Sequence, residues 1–476
     1  MQLSHTLGQT SVAFDDPNLV SAGGLVPVLA LAESAGLRDL ADEHLTVPTD
    51  KGANPGLKVA SLVGGMVAGA DSIDDMALLR HGGMSRIFAR AYAPSTLGSF
   101  LRSFTFGHVR QLDAIASRFL IALSGLTRVL GVGTGPAADG GETGYALLDV
   151  DDTIIEVHGH AKQGTGFGYS GVRGLNALLA TITTATTAPV IVAQRLRKGA
   201  AGSPRGAKRL VSDAVRTGRR LLGATQLVLV RMDSAFYGRG PVHAALAGGA
   251  TVSVTVRMDK SVKRAIATID EPSWTPIEYT DAVFDENTGT WISQAEVAEV
   301  PFTAFAAQKK TEQVPGRLVV RRIPDFNAEA HRAAGQDSLL DVWRFHAFFT
   351  TADPKVLDTV AADKTHRHHA VIEQVHADLK NSALAHLPSG VFTANAAWLV
   401  LAVIAFNLTR AAGTLAAPEL AKATTATIRR KLITVPARVA TSARRITLHL
   451  PQAWPWETAW TALFDRVSDP PPAHTA

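Results

Sequence analysis

The sequence predicts an α/β protein in which a mixed sheet flanked by helices is preceded by a helical N-terminal region and interrupted by a β-rich insertion. Three observations predict it. Apolar residues recur at helical spacing up to about Gly140, and from Tyr145 the pattern switches to β-branched runs that carry acids. A second strand-like stretch, 251–350, then separates this part from helices that resume near Lys355. A chain of 476 residues exceeds what one hydrophobic core usually serves, so several units are expected, at 1–140, 141–250, 251–350, 351–415 and 416–476.

In the first unit, LVPVLALAESAGL and LDAIASRFLIALSGLTRVL show helical spacing. Between them, APSTLGSFLRSFTFGHVRQLDAI opens with a Pro and a Ser/Thr cap and suits two short helices about a turn. Such a pair is either a DNA-docking helix-turn-helix or plain packing. GVGTGPAADGGETG (131–144) is turn-rich and reads as a linker. YALLDVDDTIIEVHG then reads as a strand, and LLATITTATTAPVIVAQRLR as a hairpin turning near Ala188-Pro189. Ala207 to Leu222 reads as a helix, and QLVLVRMDS (226–234) as a buried strand. The insertion is marked by TVSVTVRM, TWISQAEVAEVPF, RLVVRRI and DVWRFHAFFTT, separated by polar turns. HRHHAVIEQVHADLKNSALAHL and NAAWLVLAVIAFNLTRAAG supply the later helices.

With 46% hydrophobic and 19% charged residues the chain is of the folded class, and only the Pro-rich end after Asp469 reads as disordered. The absence of cysteine excludes disulfides and every thiolate metal site, which leaves carboxylates and 16 histidines as ligands and favours hard cations. The N-terminus lacks the basic start and apolar run of a secretory signal. The best membrane candidate, Ala396 to Leu408, is shorter than the ~20 residues a span needs. A soluble cytoplasmic protein without a membrane partner is expected. The net charge, 47 − 42 = +5, is concentrated. Nine Lys or Arg, among them Arg195, Arg197, Lys198, Arg205, Lys208 and Arg209, face one acid between 195 and 220. Seven, among them Arg429, Arg430 and Lys431, face none between 422 and 445. These are either solvated helix faces or contacts to a phosphate backbone.

Acids at the ends of apolar strands need explaining, because a carboxylate there lies beside a core. In LLDVDDT, period-2 alternation puts Asp149 and Asp151 on one face and Asp152 on the other. Asp233 closes LVLVRMDS in the same way. A single Asp can simply end a strand or cap a turn. Glu373 lies on a helix whose face it shares with His376 and Lys380, a spacing that also suits an exposed ion pair. Three carboxylates on two strands and a helix can bridge two Mg²⁺ or Mn²⁺ ions ~4 Å apart and act on a phosphodiester.

The local words resemble those of bacterial insertion-sequence DDE transposases, closest to insertion-sequence family 1380 in the wider family-4-like group. LDVDDTIIEVHGHAKQGTGFGYSG is similar to the first motif, which implies Asp151, followed by Thr153, as the catalytic acid and Asp149 as a supporting residue. LVLVRMDSAFYGRG resembles the second and implies Asp233 as a metal ligand, followed by Ser234. HRHHAVIEQVHADLKN resembles the third, with Glu373 the last acid and Lys380 a supporting cation. The resemblance implies an RNase H-like core, two Mg²⁺ (or Mn²⁺) ions, and cut-and-paste transposition by cleavage and strand transfer. It also implies DNA partners (terminal inverted repeats, bound through the N-terminal unit, and target) and a synaptic homodimer. A hydrolytic nuclease on the same fold and a silent transposase-derived DNA-binding protein are the rival readings. His366 and His369 stand where relatives often carry Tyr and Arg, with Arg367 between them as a further phosphate contact.

Other signals carry less. GFGYSG matches G-x-G-x-x-G but lacks the strand before it, the helix after it and the downstream acid of a dinucleotide site. The histidines at 366, 368 and 369 point in different directions on a helix and read as contacts to solvent or phosphate. Trp274 and Trp291 are expected to pack rather than to stack on bases.

Overall fold

The computed structural model describes residues 1–48, 50–127, 129–130, 144–159, 161–168, 170–185, 187–285, 290–324 and 343–469. The run expected as a linker (131–143), the Pro-rich end beyond Asp469 and the side chain of Trp291 lie outside the described residues.

The N-terminal region contributes β1 (Leu19–Val20) and helices α1 (Leu25–Ser34), α2 (Leu37–His44), α3 (Pro55–Ala68), α4 (Met84–Ile87), α5 (Pro94–Arg102) and α6 (Phe106–Thr127). The sheet then begins with β2 (Tyr145–Glu156), β3 (Gly166–Phe167), β4 (Arg173–Thr183) and β5 (Val190–Lys198). Helix α7 (Ala207–Leu222) leads to β6 (Leu227–Met232), and α8 (Arg239–Ala247) to β7 (Thr251–Thr255). After α9 (Lys260–Ile266) come β8 (Thr275–Asp285), β9 (Thr290–Ala304), β10 (Val314–Pro324) and β11 (Trp343–Thr350). The chain continues with α10 (Thr359–Arg367), α11 (Val371–Lys380), α12 (Phe392–Ala416) and α13 (Thr425–Ile428), and closes with β12 (Ala437–Ser442), β13 (Arg445–His449) and α14 (Glu457–Ser468).

β2 is the pivot of a mixed sheet. It runs antiparallel to β4 and parallel to β6. β4 in turn pairs antiparallel with β5 and with the short β3, and β6 pairs parallel with β7. The antiparallel strands β11, β10, β9 and β8 extend the same sheet beyond β7. Within the stretch 251–350, β7 is hydrogen-bonded to β6, and β11 to β8 continue the sheet from its other edge.

Amphipathic α7 buries Leu210, Val211, Ala214, Val215 and Leu222 and packs on β4 and β5. α12 is apolar all round because it is covered all round, by α3, α6, α14 and β5. It extends well beyond the apolar run 396–408 and is, with a mean hydropathy of 1.7, long and apolar enough to cross a membrane. Yet 89% of its apolar window is buried inside the protein, as in the core helix of a globular fold. Its Asn407 closes the sheet's edge, accepting from the Ile191 amide and donating to the Ile191 carbonyl, both at 2.9 Å, beside a bulge in the β4–β5 pairing.

The helix pair expected at 93–115 is α5 and the much longer α6, whose apolar face packs on α12 and α2. The chain ends also meet. β1 pairs with β12, and Gly23 and Gly24 donate to Val435 and Ile433. A Cβ on Gly24 would lie 1.7 Å from the Leu432 carbonyl oxygen, so only glycine allows this approach. The units drawn at 1–140 and 416–476 are thus joined in one three-stranded sheet.

Candidate active site

Alternation along β2 sends Asp149 and Asp151 to one face and Asp152 to the other. On the first face Asp149 is fully buried and clamped by Arg231, whose Nε and Nη2 donate to Oδ1 and Oδ2 at 2.7 Å each. The parallel register places Asp149 opposite Arg231, so the pair is built by the sheet itself. Arg231 also donates to the Thr365 carbonyl, and His369 Nδ1 lies 3.0 Å from Asp149 Oδ1. Burial alone would raise the Asp149 pKa, but the Arg231 charge and the bonds from His369 and Arg231 outweigh it and hold it low. Asp149 is a fixed anion that orders its neighbours.

One step further along both strands, Val150 faces Met232, so Asp151 and Asp233 leave β2 and β6 side by side. Neighbouring strands are ~4.8 Å apart. Asp151 Oδ1 accepts from the Asp152 amide at 2.8 Å, and Asp233 Oδ1 caps the turn at Ser234–Phe236 by accepting from the Ala235 amide at 3.0 Å. Each side chain is thus held to the backbone through its Oδ1. Burial pushes Asp151 up to about 6, against the pull of the Asp152 amide and His369, and the charges of Asp233 and Asp152 add to the rise. Asp233 is raised by burial in the same way, with its two backbone bonds and His369 opposing.

Helix α11 covers β2. It carries Glu373 in its first turn, exposed, and His376 one turn on, whose Nδ1 stands 3.8 Å from Asp151 Oδ2. Burial and the nearby Lys380 charge push the His376 pKa down to about 4, so the ring is neutral at pH 7, and its buried Nε2 has no hydrogen-bond partner. Lys380 closes α11, its pKa lowered by burial. Thr153 follows on β2, half-buried. The structure thus brings Asp151 and Asp233 together and sets Glu373, exposed, on the helix that packs on β2. Among the described residues no three His, Asp or Glu side chains converge as a ready-made metal cage.

Two desolvated carboxylates, mutually repelling and all oxygen donors, fit a hard divalent cation, which would offset the burial and the repulsion that raise Asp151. Asp149, already neutralised by Arg231, does not need one.

Several sequence expectations find other places. Arg197 is buried behind the sheet, where Nη2 holds Asp152 at 2.5 Å, Nε and Nη2 donate to Asn176 Oδ1, and Nη1 donates to the carbonyls of Ser203 and Arg205. It is an internal counter-ion, because its strand position turns it inward. Arg429 is half-buried, with Nε donating to the Val67 carbonyl at 3.1 Å. Arg367 pairs with Asp363 at 2.8 Å and Arg195 with Asp113 and Asp213, whereas Lys198, Arg205, Lys208, Arg209 and Arg430 are exposed and Lys431 lies over the Trp456 ring. His366 is half-buried. It stacks on Phe348 and hydrogen-bonds Ser253 and Thr255, and burial pushes its pKa down to about 3. Trp274 packs, with Trp343, against the Arg322 guanidinium. Sequence reading missed the part of Arg231; its signal was its place two residues before Asp233, which the parallel register turns into contact with Asp149.

A mixed sheet flanked by helices, with acids side by side at the ends of adjacent parallel strands, is an architecture suited to metal-assisted chemistry on phosphates. The chain belongs to the family described as Transposase DDE domain group 1, whose model matches residues 6–471. No curated protein matches the chain.

Proposed function

We propose that the protein is a DNA transposase that binds the ends of its element, cleaves strands there and transfers the 3′-hydroxyl to target DNA. The observation that carries this is the pairing of Asp151 with Asp233 at the ends of neighbouring parallel strands, in a chain matched over nearly its whole length by a DDE transposase model. The order of three antiparallel strands, helix and two parallel strands supports an RNase H-like core. The likeness to insertion-sequence family 1380 rests on the motif words.

In this reading Asp151 and Asp233 would hold two Mg²⁺ or Mn²⁺ ions, with Glu373 completing the set from α11. Bound there, the ions would activate the attacking oxygen and stabilise the leaving one. The chain's own residues prepare the site. The Arg231–Asp149 clamp fixes the strand register under the acids, the two backbone amides fix the carboxylate rotamers, and apolar packing excludes water behind them. Lys380, Lys198, Arg205, Lys208, Arg209, Arg430 and Lys431 would contact phosphates, the N-terminal helices would read the inverted repeats, and two copies would hold two ends.

A strand-transfer assay with labelled element ends and a target plasmid in Mg²⁺ tests the reading. Joined product is expected. Cleavage without joining would replace it with a hydrolytic nuclease, and DNA binding without cleavage would mark a silent DNA-binding descendant.

A further inference from the structure

Behind the sheet, on the face opposite Asp149 and Asp151, β5, α6 and α7 enclose a cavity of about 380 Å³. The face follows from alternation: Arg195 shares it with Arg197, which holds Asp152. The floor consists of Arg110 on α6 and Arg195 on β5, each bonded to both Asp113 and Asp213 at 2.5 to 3.4 Å. Gln194 donates to the remaining oxygen of Asp113 at 2.8 Å. The rim carries Arg118, Arg209, Arg216 and Arg220, all exposed. Six guanidiniums therefore surround two carboxylates, an excess of 6 − 2 = +4.

An ion-pair cluster that only fastened α6 to α7 would balance its charges, and Arg110 and Arg195 already balance Asp113 and Asp213. Arg209 and Arg216 also reach Asp213, at 3.2 and 3.5 Å, so four guanidiniums share that one carboxylate and the surplus positive charge stays uncompensated unless an anion joins them. The cavity is not isolated. On one side it shares Arg110, Arg195 and Arg209 with a cavity of about 690 Å³ that also carries Lys198 and Arg205. On the other it shares Arg216 and Arg220 with one of about 670 Å³ that adds Lys208 and Arg219. The first two adjoin along β5, α6 and the start of α7 and form one trough, while the third flanks the other side of α7, against α8. A single phosphate ion would need one cavity; two adjoining cavities lined by guanidiniums suit successive phosphates of one DNA strand.

We propose that this trough docks the phosphate backbone of DNA at a site separate from the carboxylates and on the other face of the sheet. The choice of DNA as the polyanion rests on the transposase reading; the trough itself does not. Preformed guanidinium pairs on the floor hold the geometry, and the exposed rim supplies contacts indifferent to base sequence.

The test is fluorescence anisotropy of a labelled linear duplex against the full-length protein over a salt series. The triple variant Arg118→Ala/Arg216→Ala/Arg220→Ala is expected to bind more weakly to every sequence, with a log–log salt slope shallower by about 3, since each lost phosphate contact removes ~0.9. The triple Lys variant at the same positions should recover most of the slope, which separates lost charge from misfolding. An unchanged slope in the Ala variant would overturn the proposal. So would displacement of the duplex by inorganic phosphate at matched ionic strength, which would reassign the cavity to a free anion. Asp151→Asn should bind DNA with the wild-type slope. If the wild type binds with the expected slope but never cleaves, the transposase reading fails while the trough stands.

Discussion

At the scale of single residues, the site separates two kinds of carboxylate by what each touches. Asp149 is fully buried, yet it stays ionised because Arg231 meets both its oxygens. Removing either partner leaves the other charged and dry, so Arg231→Ala should cost about 3–5 kcal/mol in denaturant unfolding, far above an average substitution. Asp151 has no such partner, and burial sets it at about 6. The folded state therefore binds its proton more tightly than the unfolded chain, whose Asp titrates near ~3.9. The stability this confers is full below about 4 and is lost as pH rises through about 6. Above pH 7 in chelator, Asp151→Asn is expected to stabilise the protein, by roughly 1–3 kcal/mol, while abolishing cleavage. A metal held by Asp151, as proposed, would have to displace the same proton, so Mn²⁺ affinity, read by calorimetry, should fall up to ~10-fold per unit as pH drops below 6. Affinity that is flat from pH 5 to 7 would remove Asp151 from the metal site.

Secondary-structure elements show what was legible in the sequence and what was not. α7 spans the residues its periodicity predicts, Ala207–Leu222, and alternation alone separates Asp152 from Asp149 and Asp151. Local pattern fails where pairing decides. Nothing near Arg197 shows that β5 turns it inward to Asp152, so local pattern offers only a solvated face or a phosphate contact for it. Nothing near Asp149 shows that a strand 82 residues later brings Arg231 opposite it. The apolar run at 396–408 gave no hint that its helix clamps the bulged strand through Asn407, because the bulge that exposes Ile191 belongs to another element. Asn407→Leu leaves a buried N–H and C=O without partners and should cost about 2–4 kcal/mol, with hydrogen exchange at the β5 edge accelerating first.

Across the whole molecule the two ends of the chain stabilise one another. β1 lies against β12, Gly24 touches the backbone at Leu432, and α14 packs on α1 and α12. Deleting residues beyond Ala417 should therefore unfold the N-terminal helices as well, seen as loss of the cooperative thermal transition; a stable N-terminal fragment would contradict the shared core. The same frame holds the basic trough behind the sheet and the acids in front, so the DNA contact and the chemistry proposed for them should be separable by mutation. The central claim is that Asp151 and Asp233 form one metal site for DNA cleavage. It is tested most directly by Mg²⁺-dependent nicking of labelled element ends by Asp233→Asn beside the wild type. Loss of nicking with an intact fold and unchanged DNA binding is the predicted result, and nicking at the wild-type rate would contradict the account.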